Sequence, residues 1–182
     1  MKERLYPRAT VTPKGEKALR GGHPWTYADE VTSLSATPED GGLVDVYSNK
    51  DKYLGTGFYN SHSKIRIRLL SRNANDRFDE AYWERSLRYA VAYRRTVMGE
   101  TDFRCCRLIF GEADFLPGLT IDKYEDILVV ESLALGIDRL KGFILAALVS
   151  ILADLAAEGV TLPVAMALLF RFVIDAALNS GK

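Results

Sequence analysis

Lys64-Ile65-Arg66-Ile67-Arg68-Leu69 alternates cation and aliphatic without a break. A helix would scatter these residues around its circumference, whereas a β-strand repeats every two residues. As a strand, Ile65, Ile67 and Leu69 share one face and Lys64, Arg66 and Arg68 the other. One face must be buried and the other wet, and a slip of a single residue would exchange them. The surrounding chain is therefore committed to a sheet over an apolar interior. Residues 43–47 and 53–59 read as further strands, punctuated by Gly21-Gly22, Gly41-Gly42 and Asn49-Lys50-Asp51. This spacing is that of a small β-barrel, with a helical turn over residues 14–20.

The cationic face also has a chemical reading. Neighbouring same-face cations lie ~6.6 Å apart at ~3.3 Å per residue, which suits the phosphates of an extended single strand. The competing reading is a solvated outer face. A second basic cluster, Lys14, Lys17 and Arg20, precedes Gly21-Gly22-His23-Pro24-Trp25. Cations beside an aromatic can hold phosphate and stack a base. Trp25 is expected to be mostly buried, and His23 to be a structural hydrogen-bonder. The formal charge of the whole chain is zero, but residues 1–73 hold 12 Lys and Arg against 8 Asp and Glu, an excess of +4. Residues 74–140 hold 9 against 13, an excess of −4. The positive end is where an electrostatic footprint on RNA belongs.

After a polar linker, residues 77–98 predict a helix. Trp83, Leu87, Ala90, Val91, Arg94 and Val97 fall on one stripe, Asp76 or Asp79 caps the start, and Gly99 stops it. Its arginines could touch RNA, but the helix dipole and i,i+4 pairing explain them, and they are read as a solvated face. Residues 137–158 predict a second helix, ended by Gly159. Cys105 and Cys106 are adjacent and show no zinc spacing, so they are read as reduced packing residues. The N-terminus has no apolar signal core, and a cytoplasmic protein is the expectation.

Between the helices, Gly111-Glu112-Ala113-Asp114-Phe115-Leu116-Pro117-Gly118 leads into a strand over 119–124 and a return strand over 127–130. Pro117 suits the second position of a turn and Gly118 the third, where φ is positive. Two nearby carboxylates can hold a metal or exchange protons. Beside a turn they more often cap amides or pair with arginine. The expected role of Glu112, Asp114, Pro117, Gly118 and Asp122 is thus a structural hinge, with no metal and no catalytic residue. The alternative is a carboxylate or metal-dependent enzyme using Glu112, Asp114 and Asp122.

The segment GEADFLPGLTIDKYEDILVVE resembles the middle region of bacterial rRNA methyltransferases that make 5-methylcytosine in large-subunit RNA. KGEKALRGGHPWTYADEV, far upstream, is similar to the opening of their PUA-like RNA-binding module. The resemblance covers about residues 5–145. With the pattern above it gives an α+β chain: a PUA-like barrel over 1–73, a linker module over 74–159, and rRNA as the partner it implies, for which the cationic clusters supply Lys14, Lys17, Arg20, Trp25, Lys64, Arg66 and Arg68. It also implies S-adenosylmethionine as cofactor of the full-length family, bound by a domain expected to be absent here, so that this chain holds no cofactor and is inactive alone. No α/β unit with a glycine-rich cofactor turn is expected, and Gly55-Thr56-Gly57 falls inside a strand-like run. Residues 160–182 depart from the family and read as an atypical apolar tail, a truncated or frame-shifted end. Residues 164–178 read as an apolar helix, too short and interrupted for a membrane span, with a membrane hairpin of 143–157 and 164–178 as the lesser alternative. A homodimer, or an adaptor docking a partner, through this segment is the remaining alternative.

Overall fold

A computed structural model describes residues 4–125, 127–157 and 167–172. The chain divides into two compact units, with the main boundary at Asp76/Arg77.

The first unit is a six-stranded mixed sheet in the order β2-β6-β5-β4-β1-β3. Its strands are β1 (Arg8–Val11), β2 (Trp25–Tyr27), β3 (Val31–Leu34), β4 (Leu43–Ser48), β5 (Tyr53–Tyr59) and β6 (Ile65–Ser71). All neighbours pair antiparallel except β1 with β4. Helix α1 (Pro13–Arg20) starts at Thr12, whose Oγ1 accepts from Gly15 N at 3.2 Å, and Pro13 presets its first φ. Ala9, Val11, Leu19, Val44, Val46, Leu54, Tyr59, Ile67 and Leu69 form the core. The alternation in β6 thus keeps Ile67 and Leu69 inside, while Arg66 and Arg68 are half-buried rather than fully wet. Lys64 precedes the strand and is exposed. Gly57 is required by close approach: a Cβ there would overlap the Arg68 carbonyl of the neighbouring strand.

An ion pair that the sequence did not announce lies under this sheet. Asp45, 1% exposed, accepts from Arg4 Nε at 2.6 Å and from Thr56 Oγ1 at 2.5 Å. Thr56 Oγ1 also meets the Tyr53 hydroxyl at 2.7 Å and Arg4 Nη2 at 2.7 Å. Burial pushes the Tyr53 phenol up, partly offset by Thr56 and Arg4. Burial works against the Arg4 charge, but its bond to Asp45 and the surrounding Coulomb field outweigh that and raise its pKa.

The second unit carries α2 (Glu80–Asp102) and a four-stranded sheet in the order β10-β9-β8-β7. Asp79 is the helix N-cap, its Oδ1 accepting from Tyr82 N at 3.0 Å, while Asp76 binds Ser71 and Asn73 instead. Gly99, expected to end the helix, adopts φ 67 and kinks it, and a short further turn follows. Strands β7 (Cys105–Phe110), β8 (Leu119–Tyr124) and β9 (Ile127–Ser132) form an antiparallel meander. Across Pro117–Gly118, Leu119 N donates to Leu116 O at 3.0 Å, with Gly118 at φ 79.

Two readings of the C-terminal half need correction. Helix α3 (Leu135–Ala157) leads to β10 (Ala167–Phe172), which pairs parallel with β9 in register Ala167 to Ile127. A β-α-β crossover therefore exists where none was expected. The described part of 164–178 is strand rather than helix. The long apolar run reads equally well as either, and pairing with β9 decides it. The rest of 160–182, and the expected helix stop at Gly159, lie outside the described residues. Among the described residues no helix is long and apolar enough to cross a membrane.

Candidate nucleic-acid interface

Edge strand β2 and its neighbour β6 bring aromatics and cations together. Trp25 lies directly opposite Arg68 in the ladder. The Arg68 guanidinium sits over the Trp25 ring at 5.3 Å. His23 meets the Trp25 ring edge-on at 5.6 Å and the tilted Tyr27 ring at 6.0 Å. Its Nδ1 accepts from Trp25 N at 3.2 Å, which fixes the ring beside the strand. Tyr27 is 36% exposed, and Trp25 is partly exposed. The strand's short length and edge position leave the indole only partly covered.

The other expected cations divide. Lys14, Lys17 and Arg20 are all exposed on α1. Arg20 pairs with Glu16 at 2.8 Å, and Lys14 Nζ lies 3.6 Å from the buried carboxylate of Glu30. Arg66 is turned along the sheet. Its Nη1 donates to the carbonyls of Asn60, at 3.1 Å, and Ser61, and its guanidinium lies 5.9 Å from the Tyr59 ring. Arg66 is therefore a loop clamp as much as a surface charge. Sequence reasoning passed over Arg72, whose Nη2 donates to Leu19 O and His23 O at 3.2 Å each. That bridge ties the end of α1 and the His23 loop to the end of β6. Tyr27 was also missed, although its two-residue offset from Trp25 was a usable signal.

The acidic motif of the second unit is arranged differently. Asp114 Oδ2 accepts from Arg94 Nη2 at 2.8 Å and from Phe110 N at 2.6 Å. Asp122 takes Arg107 through both oxygens, at 2.8 and 2.9 Å. The bonds to Asp122 raise the Arg107 pKa against the opposing effect of burial. Among the described residues no group of three His, Cys, Asp or Glu comes together as a metal ligand set. Cys106 is half-buried, its Sγ donating to Phe103 O at 3.6 Å, and burial pushes its thiol up.

At the start of the β-α-β crossover, Gly136 lies in the first turn of α3, where a Cβ would overlap the Phe58 ring.

The PUA-like domain family matches residues 9–72, the span of the six-stranded sheet with α1. Over 136 residues the chain is 37% identical to Ribosomal RNA large subunit methyltransferase I of Pseudoalteromonas translucida, covering 75% of this chain and 34% of that protein. The protein of the same name from Klebsiella pneumoniae subsp. pneumoniae is 31% identical over 156 residues, covering 86% of this chain and 39% of the relative. Over most of its own length the chain is thus similar to rRNA large-subunit methyltransferases. It spans little more than a third of their length. Among solved structures, a Streptococcus mutans chain named for SAM-dependent methyltransferase activity superposes with a TM-score of 0.69 at 20% identity, covering 82% of this chain and 38% of that one. A second methyltransferase-named chain, solved with SAH, superposes with a TM-score of 0.72 at 18% identity, covering 92% and 40%. At these identities the solved structures support the fold.

Proposed function

We propose that this chain is the RNA-binding portion of an rRNA (cytosine-C5) methyltransferase. The observation that carries the proposal is the β2–β6 surface, where Trp25, Tyr27, His23 and Arg68 lie together inside a PUA-like domain. Exposed Lys14, Lys17, Arg20 and Lys64 supply phosphate contacts around it, and half-buried Arg66 adds charge at its margin. Methyl transfer itself belongs, in this reading, to the larger share of the relatives' length that this chain does not span. Alkylation at C5 needs a thiolate to attack the ring first. Burial holds Cys106 towards the thiol form, and neither cysteine is assigned that role. With Asp114 and Asp122 both engaged by arginine, the carboxylate-enzyme alternative has less support.

Fluorescence anisotropy with single-stranded and hairpin RNA from the large subunit, at several salt concentrations, tests the binding. The log–log slope on single strands should be about −0.7 per neutralised phosphate. Arg66→Ala/Arg68→Ala should flatten it by roughly one unit. An unchanged slope would remove this surface as the contact. Incubation with radiolabelled S-adenosylmethionine and undermodified rRNA should give no incorporation, and label above background would overturn the division of labour.

A further inference from the structure

The outer face of α2 carries two tyrosines that its own packing does not explain. Trp83, Leu87, Ala90 and Val91 fill the inner face. Tyr89 and Tyr93 point outward and are 74% and 59% exposed. Four residues apart on a helix, they stand on one side with ~6 Å of rise between them. A shallow, open depression of about 470 Å³ lies beside Tyr89, lined by Ala81, Glu84, Arg85, Arg88, Tyr89 and Ala92. The alanines leave room between longer side chains, so the lining is mainly apolar.

The charges around this depression are uneven. Residues 80–98 hold four arginines against two glutamates. Arg88 is occupied, with Glu84 at 3.1 Å and Asp154 at 2.9 Å. Arg94 is held by Asp114, with its guanidinium 5.1 Å from the Tyr93 ring. Arg85 has no carboxylate partner among the described residues, and its guanidinium lies 5.6 Å from the Tyr82 ring. The face therefore offers a shallow apolar depression, two exposed aromatic rings and a cation with no counter-charge among the described residues. An apolar peptide side chain would use only the depression. An unpaired nucleotide uses all three, through base stacking and a phosphate contact.

We propose that the outer face of α2 is a second, separate contact for single-stranded RNA, with an unpaired base stacked on Tyr89, its phosphate on Arg85, and a neighbouring base on Tyr93. The proposal rests on the reading that this chain binds RNA, and it adds a site outside the PUA-like domain. Nothing in the arrangement selects a base identity, since every base has a face to stack and the cation addresses the backbone.

The test uses the full chain and single-stranded RNA carrying 4-thiouridine. Irradiation should cross-link a peptide of α2 in addition to peptides of the β2–β6 surface. In anisotropy, Tyr89→Ala should weaken binding by about tenfold, the scale of one lost base–aromatic stack. Tyr89→Phe should restore it, because the ring and not the hydroxyl stacks. Both side chains are exposed, so melting curves should not move, and a circular dichroism scan verifies that each variant is folded. If Arg66→Ala/Arg68→Ala weakens binding while Tyr89→Ala and Tyr93→Ala do not, the α2 site is wrong and the PUA-like reading stands. If none of these substitutions changes affinity, both fall. If Tyr89→Ala instead converts a dimer to a monomer in light scattering and leaves RNA affinity unchanged, the face is a protein interface and the proposal is overturned.

Discussion

Replacing Asp114 by Ala should be the most costly single change in the acidic motif. The carboxylate has two partners, Arg94 Nη2 at 2.8 Å and Phe110 N at 2.6 Å, and both side chains of the ion pair are only 11% exposed. A hydrogen bond involving a charged group contributes about 1.5–3 kcal/mol net, and two share this one oxygen. Truncation also leaves part of a mostly covered guanidinium without its counter-charge. That penalty is softened because Arg94 Nε keeps the Arg107 carbonyl at 3.0 Å. Weighing these together gives a loss of about 3 kcal/mol, above the ~1 kcal/mol of an ordinary lost cap. Asp114→Asn keeps an acceptor for Phe110 N and should lose about half as much. The chain has two tryptophans, Trp25 in the first unit and Trp83, 3% exposed, in the second. Urea unfolding in a Trp25→Phe background, followed by Trp83 fluorescence, therefore reports the second unit alone and avoids averaging two transitions. A cycle with Arg94→Met should give a coupling of about 1.5 kcal/mol between the pair. A loss below about 1 kcal/mol, or a coupling near zero, would show that the motif is exposed decoration and refute the reasoning.

Two further outcomes concern the first unit. The Ser61 backbone N–H holds the Asp40 carboxyl below the usual carboxylate range against opposing desolvation, with help from the Ser61 hydroxyl, His62 and Arg66. A depressed folded-state pKa means the stabilisation is complete above the unfolded value of ~3.9 and is lost as pH falls through the folded value. Wild type should therefore exceed Asp40→Asn by about 1 kcal/mol at pH 6, and the gap should close by about pH 2 in thermal melts; a pH-independent gap would contradict this. On β6, Ile67→Asn buries an amide where exposure is 0% and should cost about 3–4 kcal/mol, whereas Arg66→Ala should cost about 1 kcal/mol through the lost bonds to the Asn60 and Ser61 carbonyls. Equal losses in denaturant titrations would mean that the two faces of the strand have been misassigned.

Local pattern was enough wherever one physical requirement dominated. The alternation of residues 64–69 could only be a strand with Ile67 inside, because the period is two and one face must leave water. Pro117–Gly118 specified its turn because proline presets one φ and glycine permits the next. Asp79 capped α2 for an equally local reason. The apolar run near the C-terminus carried no such requirement. It satisfies helix and buried strand alike, and Ala167–Phe172 became a strand because β9 offered an open edge. The buried Arg4–Asp45–Thr56–Tyr53 group was equally invisible, since its members are far apart in the chain and ordinary in composition. Tertiary structure likewise decided the candidate interface. Cations at 64, 66 and 68 looked equivalent in the sequence, but strand pairing placed Arg68 on Trp25 and turned Arg66 onto a loop. Which charge meets which ring depends on the register between β2 and β6, and register is a property of the folded sheet, not of either strand alone.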